Sequence, residues 1–271
     1  MQRADSDAIP SALDRFGDLT RQAEGKRFAV FLDYDGTLTP IVERPELAVL
    51  SDAMRAAVGE LATRCSVAII SGRDRANVAE LVGLESVYYA GSHGFDISGP
   101  ADCHMQHEGG VAVAPALRAA EQELRVRLAD VNGAMVEGKA FAVAVHYRLL
   151  PEDKAPDVKE AVNVVAAEYP ALRVTGGKKV LELRPRVEWD KGRAVLWLLR
   201  ALKLDLADVR PIYIGDDVTD EDAFEALADH GIGILVRDGS RETAARYALD
   251  HPEDVRRFLE ALRSLIDRRA L

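Results

Sequence analysis

The sequence has little cysteine. Cys65 and Cys103 are the only two, and their spacing fits no zinc or redox motif. A disulfide framework is excluded, and a reducing cytoplasm is the expected setting. Long apolar runs are also missing. None approaches the ~18 residues of a membrane helix, so no spanning segment is expected. The start, Met1-Gln-Arg-Ala-Asp-Ser-Asp7, lacks the basic and apolar stretches of a secretory signal. Positive charge is outnumbered: 35 Lys and Arg against 45 Asp and Glu give a formal net charge of -10. Such a surface repels phosphate backbones at long range and disfavours broad nucleic-acid binding. A small anionic substrate remains allowed where a few local cations or a metal reverse the field. No G-x-G-x-x-G follows the first strand-like run, which argues against a dinucleotide site.

What is present is ordinary for a globular protein: 271 residues, 48% hydrophobic and 30% charged. That length suits one large or two modest domains and a core that needs no covalent staples. Leu13, Phe16 and Leu19, with Ser11 as N-cap, predict an amphipathic helix over 11–24. Phe28–Leu32, Val67–Ile70 and Val87–Ala90 read as buried strands, alternating with helices over 51–64 and 74–82. The pattern resumes with strands at Pro211–Ile214 and Ile232–Val236, and helices over 220–228 and 252–267. Such alternation predicts an α/β, Rossmann-like core with a parallel sheet. The middle differs. Helices over 115–130 and 152–168 flank strand-like runs in 134–148, and Ala171–Thr175 and Lys179–Leu183 read as strands around a turn at Gly176-Gly177. We therefore expect a discontinuous core, 1–108 and 185–271, carrying an inserted α+β cap, 109–184.

The chemistry-bearing residues gather where parallel strands end, which is where open α/β sheets bind ligands. Asp33 and Asp35 follow the first strand, two residues apart, so both side chains can face one side. Gly36 allows a close turn, and Thr37 and its neighbours offer N–H groups to an anion. Asp, Gly and Thr are also common turn residues, but two acids directly after a buried strand are poorly explained by turn chemistry. Paired aspartates form a hard oxygen site suited to Mg2+. One carboxylate can attack phosphorus and the other can serve as acid and base. Ser71-Gly72 ends the second strand and could hold a phosphoryl oxygen, although a plain turn reads as well. Asp216-Asp217 follows a later strand, with Asp220, Glu221 and Asp222 behind. N-capping accounts for Glu221 and Asp222 but less well for Asp216. Lys191 would be unremarkable at a surface, yet a phosphate on an acidic protein needs a cation beside it. Cys103, His104 and His107 lack a fourth ligand for a soft-metal site, and His93 is assigned no chemistry.

Taken in order, Asp33-Tyr-Asp-Gly-Thr37, Ser71, Lys191 and Asp216-Asp217 resemble the four motifs of the haloacid dehalogenase superfamily of phosphotransferases. Phe31–Leu38, Gly91-Ser-His-Gly94, His146-Tyr-Arg148, Leu181-Glu-Leu-Arg-Pro185 and Tyr213–Phe224 narrow the resemblance to its trehalose-6-phosphate phosphatases, over roughly residues 27–240. The resemblance implies hydrolysis of trehalose 6-phosphate through an aspartyl-phosphate, with Mg2+ as cofactor and cap closure over the sugar. Asp33 would be nucleophile and metal ligand. Asp35 would be acid/base, its carbonyl touching the metal. Asp216 would complete the metal set, with Asp217 and Asp220 near it. Gly36, Thr37, Ser71, Gly72 and Lys191 would hold the phosphoryl group. Glu137, Lys139 and Glu182 match positions that contact the sugar, although unaided by the resemblance they read as a solvated sheet face. Gly138 departs from the family, which often has a polar residue there, and would loosen the strand. Another capped phosphatase, for a glycosyl-phosphoglycerate or sucrose phosphate, and a noncatalytic sugar-phosphate sensor are the rival readings. The expected partner is a small sugar phosphate, with no nucleic acid and no membrane; the sequence does not set the oligomeric state, and a monomer is compatible with it.

Overall fold

The first apolar run forms strand β1 (Arg27–Leu32), buried at every position after Arg27. A strand buried on both faces needs a continuous apolar run, and Phe28-Ala-Val-Phe-Leu32 supplies it. The structure, a computed structural model, describes residues 3–21, 23–42, 44–177 and 179–270. Around β1 stand β2 (Ser66–Ile70), β3 (Tyr88–Gly91), β4 (Asp96–Gly99) and β5 (Cys103–Gln106). From later in the chain come β10 (Val209–Gly215), β11 (Ile232–Val236) and β12 (Tyr247–Leu249). The sheet order is β12-β11-β10-β1-β2-β3-β4-β5. Strands β12 through β3 are parallel, and β4 turns back antiparallel on β3.

Alternation along β1 divides the core. Phe28, Val30 and Leu32 face one layer with Met54, Val58 and Leu61 of α2 (Asp52–Ala62) and Phe258, Leu259 and Leu262 of α8 (Pro252–Arg269). Ala29 and Phe31 face the other layer with Val195, Leu198 and Leu199 of α6 (Lys191–Ala201) and Phe224 of α7 (Glu221–Ala226). Local signals set the helix ends. Ser51 caps α2 by accepting from the Met54 N–H, Asp190 caps α6 by accepting from the Arg193 N–H, and Gly83 (φ 65°) ends α3 (Arg75–Val82) in the left-handed region. No helix among the described residues is long and apolar enough to cross a membrane.

The chain divides into two compact units, Met1–Met105 with Trp189–Leu271, and Gln106–Glu188. In the second, an antiparallel sheet of order β6-β7-β9-β8 is built from β6 (Met135–Lys139), β7 (Ala142–His146), β8 (Leu172–Gly177) and β9 (Val180–Pro185). Its apolar face, with Val143, Val145, Leu172 and Leu183, packs on Leu117 and Leu124 of α4 (Ala114–Arg127) and Val158, Val162 and Val165 of α5 (Ala155–Glu168).

Four expectations are corrected. The helix over 11–24 shrinks to α1 (Phe16–Arg21). The Ala12 N–H instead donates to Ala248 of β12 (2.8 Å), and Ala248 returns a bond to Pro10 (2.9 Å), so this stretch extends the sheet edge; Gln22 lies outside the described residues. Gly176 and Gly177 are not the turn: they pair with Leu181 and Val180, and the reversal falls after them, where Lys179 has φ 63°. Strands β4, β5 and β12 went unread, because they are short or carry polar residues. Finally, Gly138 sits in a fully paired β6 opposite Val143. A Cβ there would lie 2.4 Å from the Glu121 carboxylate, so the glycine makes room for α4.

Candidate active site

β1 and β10 are neighbours, yet the chain leaves them in opposite directions across the sheet. From β1 it passes to β2 and β3, and from β10 to β11 and β12. Such a switch point opens a crevice beyond the strand ends. Asp33 is the first residue past β1, and its N–H donates to the Ile214 carbonyl of β10 (2.9 Å). Asp216 is the first past β10. The two are pressed together because Gly36 lets the loop after β1 turn at φ +84°. A Cβ on Gly36 would lie 2.2 Å from Asp216 Oδ2. The loop closes on itself, with Gly36 N–H to Thr39 carbonyl (2.8 Å) and Leu38 N–H to Tyr34 carbonyl (2.9 Å). Thr37 is fully buried, and its Oγ1 makes no hydrogen bond among the described residues. A buried hydroxyl of this kind costs about 1–3 kcal/mol until a partner arrives.

At the first residue of α6, Lys191 places its ammonium between two acids. Nζ donates to Asp33 Oδ1 (2.7 Å) and to Asp220 Oδ1 (2.7 Å). Tyr213 also donates to Asp220 Oδ1 (2.5 Å), and the Asp217 N–H donates to Asp220 Oδ2 (2.9 Å). Ligand atoms of Asp33, Asp216 and Asp220 lie within 4.8 Å of one another; it is the one group of acidic, histidine or cysteine side chains so placed among the described residues. All three are buried. Burial pushes the Asp33 carboxyl well up, Lys191 pulls it down, and Asp220 and Asp216 push it up again. Burial would lower Lys191, but Asp220 and Asp33 more than reverse this and hold the ammonium above the usual lysine range. Burial and then Asp220 raise Tyr213, so it stays a neutral donor. Three buried carboxyl groups share one ammonium, so acidic groups outnumber basic ones in this dry site. Hard oxygens and that acidic excess fit a hard divalent cation such as Mg2+.

The positions expected for this chemistry do not all converge. Asp35 does not face the same way as Asp33. Its two oxygens accept from Arg73, Nε to Oδ2 and Nη2 to Oδ1, each at 2.7 Å. The loop abandons extended geometry after Leu32, so the two-residue spacing no longer aligns the side chains. Asp220, expected only near the metal set, joins Asp33 and Asp216 in the carboxylate group, while Asp217 forms a capping box with Asp220. Glu221 is more than a helix-terminal acid, since its carboxylate accepts from the Ala244 N–H (2.7 Å). Ser71 is fully buried beyond β2, the neighbour of β1, and its hydroxyl accepts from the Arg73 N–H (3.1 Å). Gly72 sits so near His93 that a Cβ would meet the ring at 2.8 Å.

In the second unit, strand register gathers the remaining expected residues on one face. Glu137 and Glu182 both lie opposite Ala144, from the two sides of β7. Lys139 Nζ donates to Glu182 Oε1 (2.8 Å), and Arg184 Nε donates to Glu182 Oε2 (2.7 Å). Glu137 Oε2 lies 2.7 Å from His146 Nε2, and this bond holds the Glu137 carboxyl below its ordinary value. The sequence reading assigned no role to Arg73, Tyr213, His146 or Arg184. His146 and Arg184 have a simple signal, namely odd-even alternation with Glu137 and Glu182 on paired strands. Tyr213 lies in β10, three residues before Asp216.

The geometry has counterparts. Residues 31–253 match the trehalose-phosphatase family. A trehalose-phosphate phosphatase of Mycobacterium tuberculosis is 46% identical over 258 residues, 94% of this chain and 66% of that protein. A trehalose 6-phosphate phosphatase of Zea mays is 46% identical over 268 residues, 93% of this chain and 74% of that one. The chain thus spans about two thirds to three quarters of these relatives. Among solved structures, the C-terminal domain of the C. albicans trehalose-6-phosphate phosphatase superposes with a TM-score of 0.80 at 26% identity, covering 95% of this chain and 99% of that one. A haloacid dehalogenase-like hydrolase from Bacteroides thetaiotaomicron shares the fold, with a TM-score of 0.61 at 16% identity, over 90% and 99%. By the family match over most of its length, the chain belongs to the trehalose-phosphatase family.

Proposed function

We propose that the chain is a Mg2+-dependent phosphatase that hydrolyses trehalose 6-phosphate to trehalose and phosphate. The observation that carries the reaction type is the buried group of Asp33, Asp216 and Asp220 with Lys191 at its centre, at the switch point of a parallel sheet. Asp33 is the nucleophile. Its oxygen attacks phosphorus, and Asp35 gives a proton to the departing sugar oxygen. Asp35 then takes a proton from the water that cleaves the aspartyl-phosphate. The Asp33, Asp216 and Asp220 carboxylates with the Asp35 carbonyl would hold Mg2+, which when bound would supply charge to neutralise phosphoryl oxygens. Lys191 adds a fixed positive charge, and Thr37, Ser71 and Gly72 offer hydroxyl and N–H donors to the phosphoryl group, whereas the Gly36 N–H is held by the Thr39 carbonyl and Gly36 shapes the loop instead. Asp217 and Asp220 position each other through the capping box.

The substrate class rests on the family and on the polar face of the second unit. Two acids that accept from sugar hydroxyls and a lysine that donates to oxygens suit a disaccharide. Glu137, Lys139 and Glu182 are the proposed sugar contacts, and the cytoplasm is the proposed location. Phosphate release from a panel of sugar phosphates with Mg2+ tests the assignment. Trehalose 6-phosphate should be the preferred ester, and Asp33→Asn should abolish its turnover. Strong activity on sucrose phosphate or a glycosyl-phosphoglycerate, beside weak activity on trehalose 6-phosphate, would replace the substrate. Near-normal turnover by Asp33→Asn would remove the nucleophile.

A further inference from the structure

Arg73 has a place that the reaction so far leaves unexplained. Its guanidinium makes a forked, in-register pair with both oxygens of Asp35, at 2.7 Å and 2.7 Å. The arginine side chain is only 11% exposed, against 43% for Asp35. It is fixed from other sides as well. Nη1 donates to Asn77 Oδ1 (3.2 Å), and the guanidinium lies over the Tyr34 ring, 5.3 Å from its centroid. Tyr34 is itself fully buried and donates to the Ala48 carbonyl (2.7 Å). The Arg73 N–H donates to Ser71 Oγ, and the Arg73 carbonyl accepts from Ser92 (2.7 Å). A rigid fork therefore ties the loop after β1 to the loop after β2. Two charge-assisted bonds in a planar fork fix the orientation of the Asp35 carboxyl group.

We infer that Arg73 is the positioning residue for Asp35, holding its carboxyl group in one orientation for the attack of water in the second half of the reaction. This rests on the phosphatase reading above. In that half, a water oxygen bonds to phosphorus while the bond from phosphorus to Asp33 breaks. The water proton passes to Asp35, which leaves Asp35 protonated for the next sugar oxygen. Arg73 touches no reacting atom. It keeps both Asp35 oxygens in one orientation when water attacks.

A substrate with a good leaving group separates the halves. p-Nitrophenolate departs without a proton, so Asp33 is phosphorylated at full speed even where Asp35 is poorly placed. Rapid mixing of Arg73→Ala with p-nitrophenyl phosphate and Mg2+ should give a burst of about one nitrophenolate per chain. A steady rate on the order of 10²-fold below the parent should follow, the scale of a lost acid–base contribution. Arg73→Lys, a charge without the fork, should recover part of the steady rate. In an Asp35→Asn background, Arg73→Ala should lower the steady rate no further, whereas a purely structural role would lower it again. No burst with both phases slowed alike, or an unchanged steady rate, would overturn the proposal. So would an Arg73→Lys chain that folds, by circular dichroism, yet shows full parental steady-state turnover. A parent that hydrolyses p-nitrophenyl phosphate but not trehalose 6-phosphate would sink the substrate assignment and leave Arg73 standing. A parent that releases no nitrophenolate would sink both.

Discussion

Replacing Lys191 by Met keeps the aliphatic stem and removes the charge, and the structure sets the cost. Lys191 makes two contacts of 2.7 Å to buried carboxylates. At an effective dielectric of about 20, each such contact is worth roughly 6 kcal/mol of attraction. Desolvation of the ammonium offsets much of this, and removing one partner of a buried ion pair typically costs about 3–5 kcal/mol. At about 2–4 °C per kcal/mol for chains near this size, melting should fall by about 6–20 °C. The loss should grow with pH. Without the ammonium, Asp33 loses the charge that pulls its carboxyl down against burial and its acidic neighbours, and it keeps a proton in the folded state that the unfolded chain releases above about pH 4. The folded state then binds more protons, so stability falls as pH rises. Thermal melting by circular dichroism at pH 5 and pH 8, in EDTA and in Mg2+, reads the effect. Mg2+ should stabilise the variant more than the parent, because it replaces the missing charge. A Lys191→Met chain that melts within about 2 °C of the parent at pH 8 in EDTA would refute the argument that Lys191 neutralises this site.

Metal removal has its own signature in the parent. Asp33 is pushed up by burial and its acidic neighbours, so the metal-free protein should lose stability as pH rises above the unfolded value of about 3.9. Mg2+ should abolish that slope and restore phosphate release. Gly36→Ala should be inactive and should lose the metal response, since its Cβ would fall 2.2 Å from Asp216 Oδ2 at φ +84°. Stability should drop by about 1–3 kcal/mol from the backbone strain, read by urea unfolding. Lys139→Ala and Glu182→Ala break a 2.8 Å pair on the polar face of the second unit. Each should raise KM for trehalose 6-phosphate by roughly tenfold, the worth of a lost charge-assisted hydrogen bond of about 1.5 kcal/mol, with little change for p-nitrophenyl phosphate. An equal effect on both substrates would remove these residues from sugar recognition.

Much of the molecule was legible in the chain. The five buried parallel strands named from apolar runs are all present, because a strand covered on both faces has nothing else to be made of. β4, with Asp96 and Ser98, and β12, only three residues long, carry no such pattern. They exist because a sheet edge was there to pair with. The helix over 11–24 failed for the same reason: its first residues found partners on β12, and tertiary hydrogen bonds outweighed local periodicity.

The carboxylate site divides along the same line. Residue identity and order by themselves determined that Asp33, Asp216 and Lys191 would follow or precede the right elements, because strand ends on one side of a parallel sheet must meet. Which acids share the buried site was decided only by the fold. Asp220 entered it because a capping box and the hydroxyl of Tyr213 turn its carboxylate inward. Asp35 left it because Gly36 bends the loop and Arg73, 38 residues away in sequence, offers a fork that fits both oxygens. Spacing fixes which side chains can point together along a strand. It is silent once the backbone turns, and there the partner across the fold sets the direction.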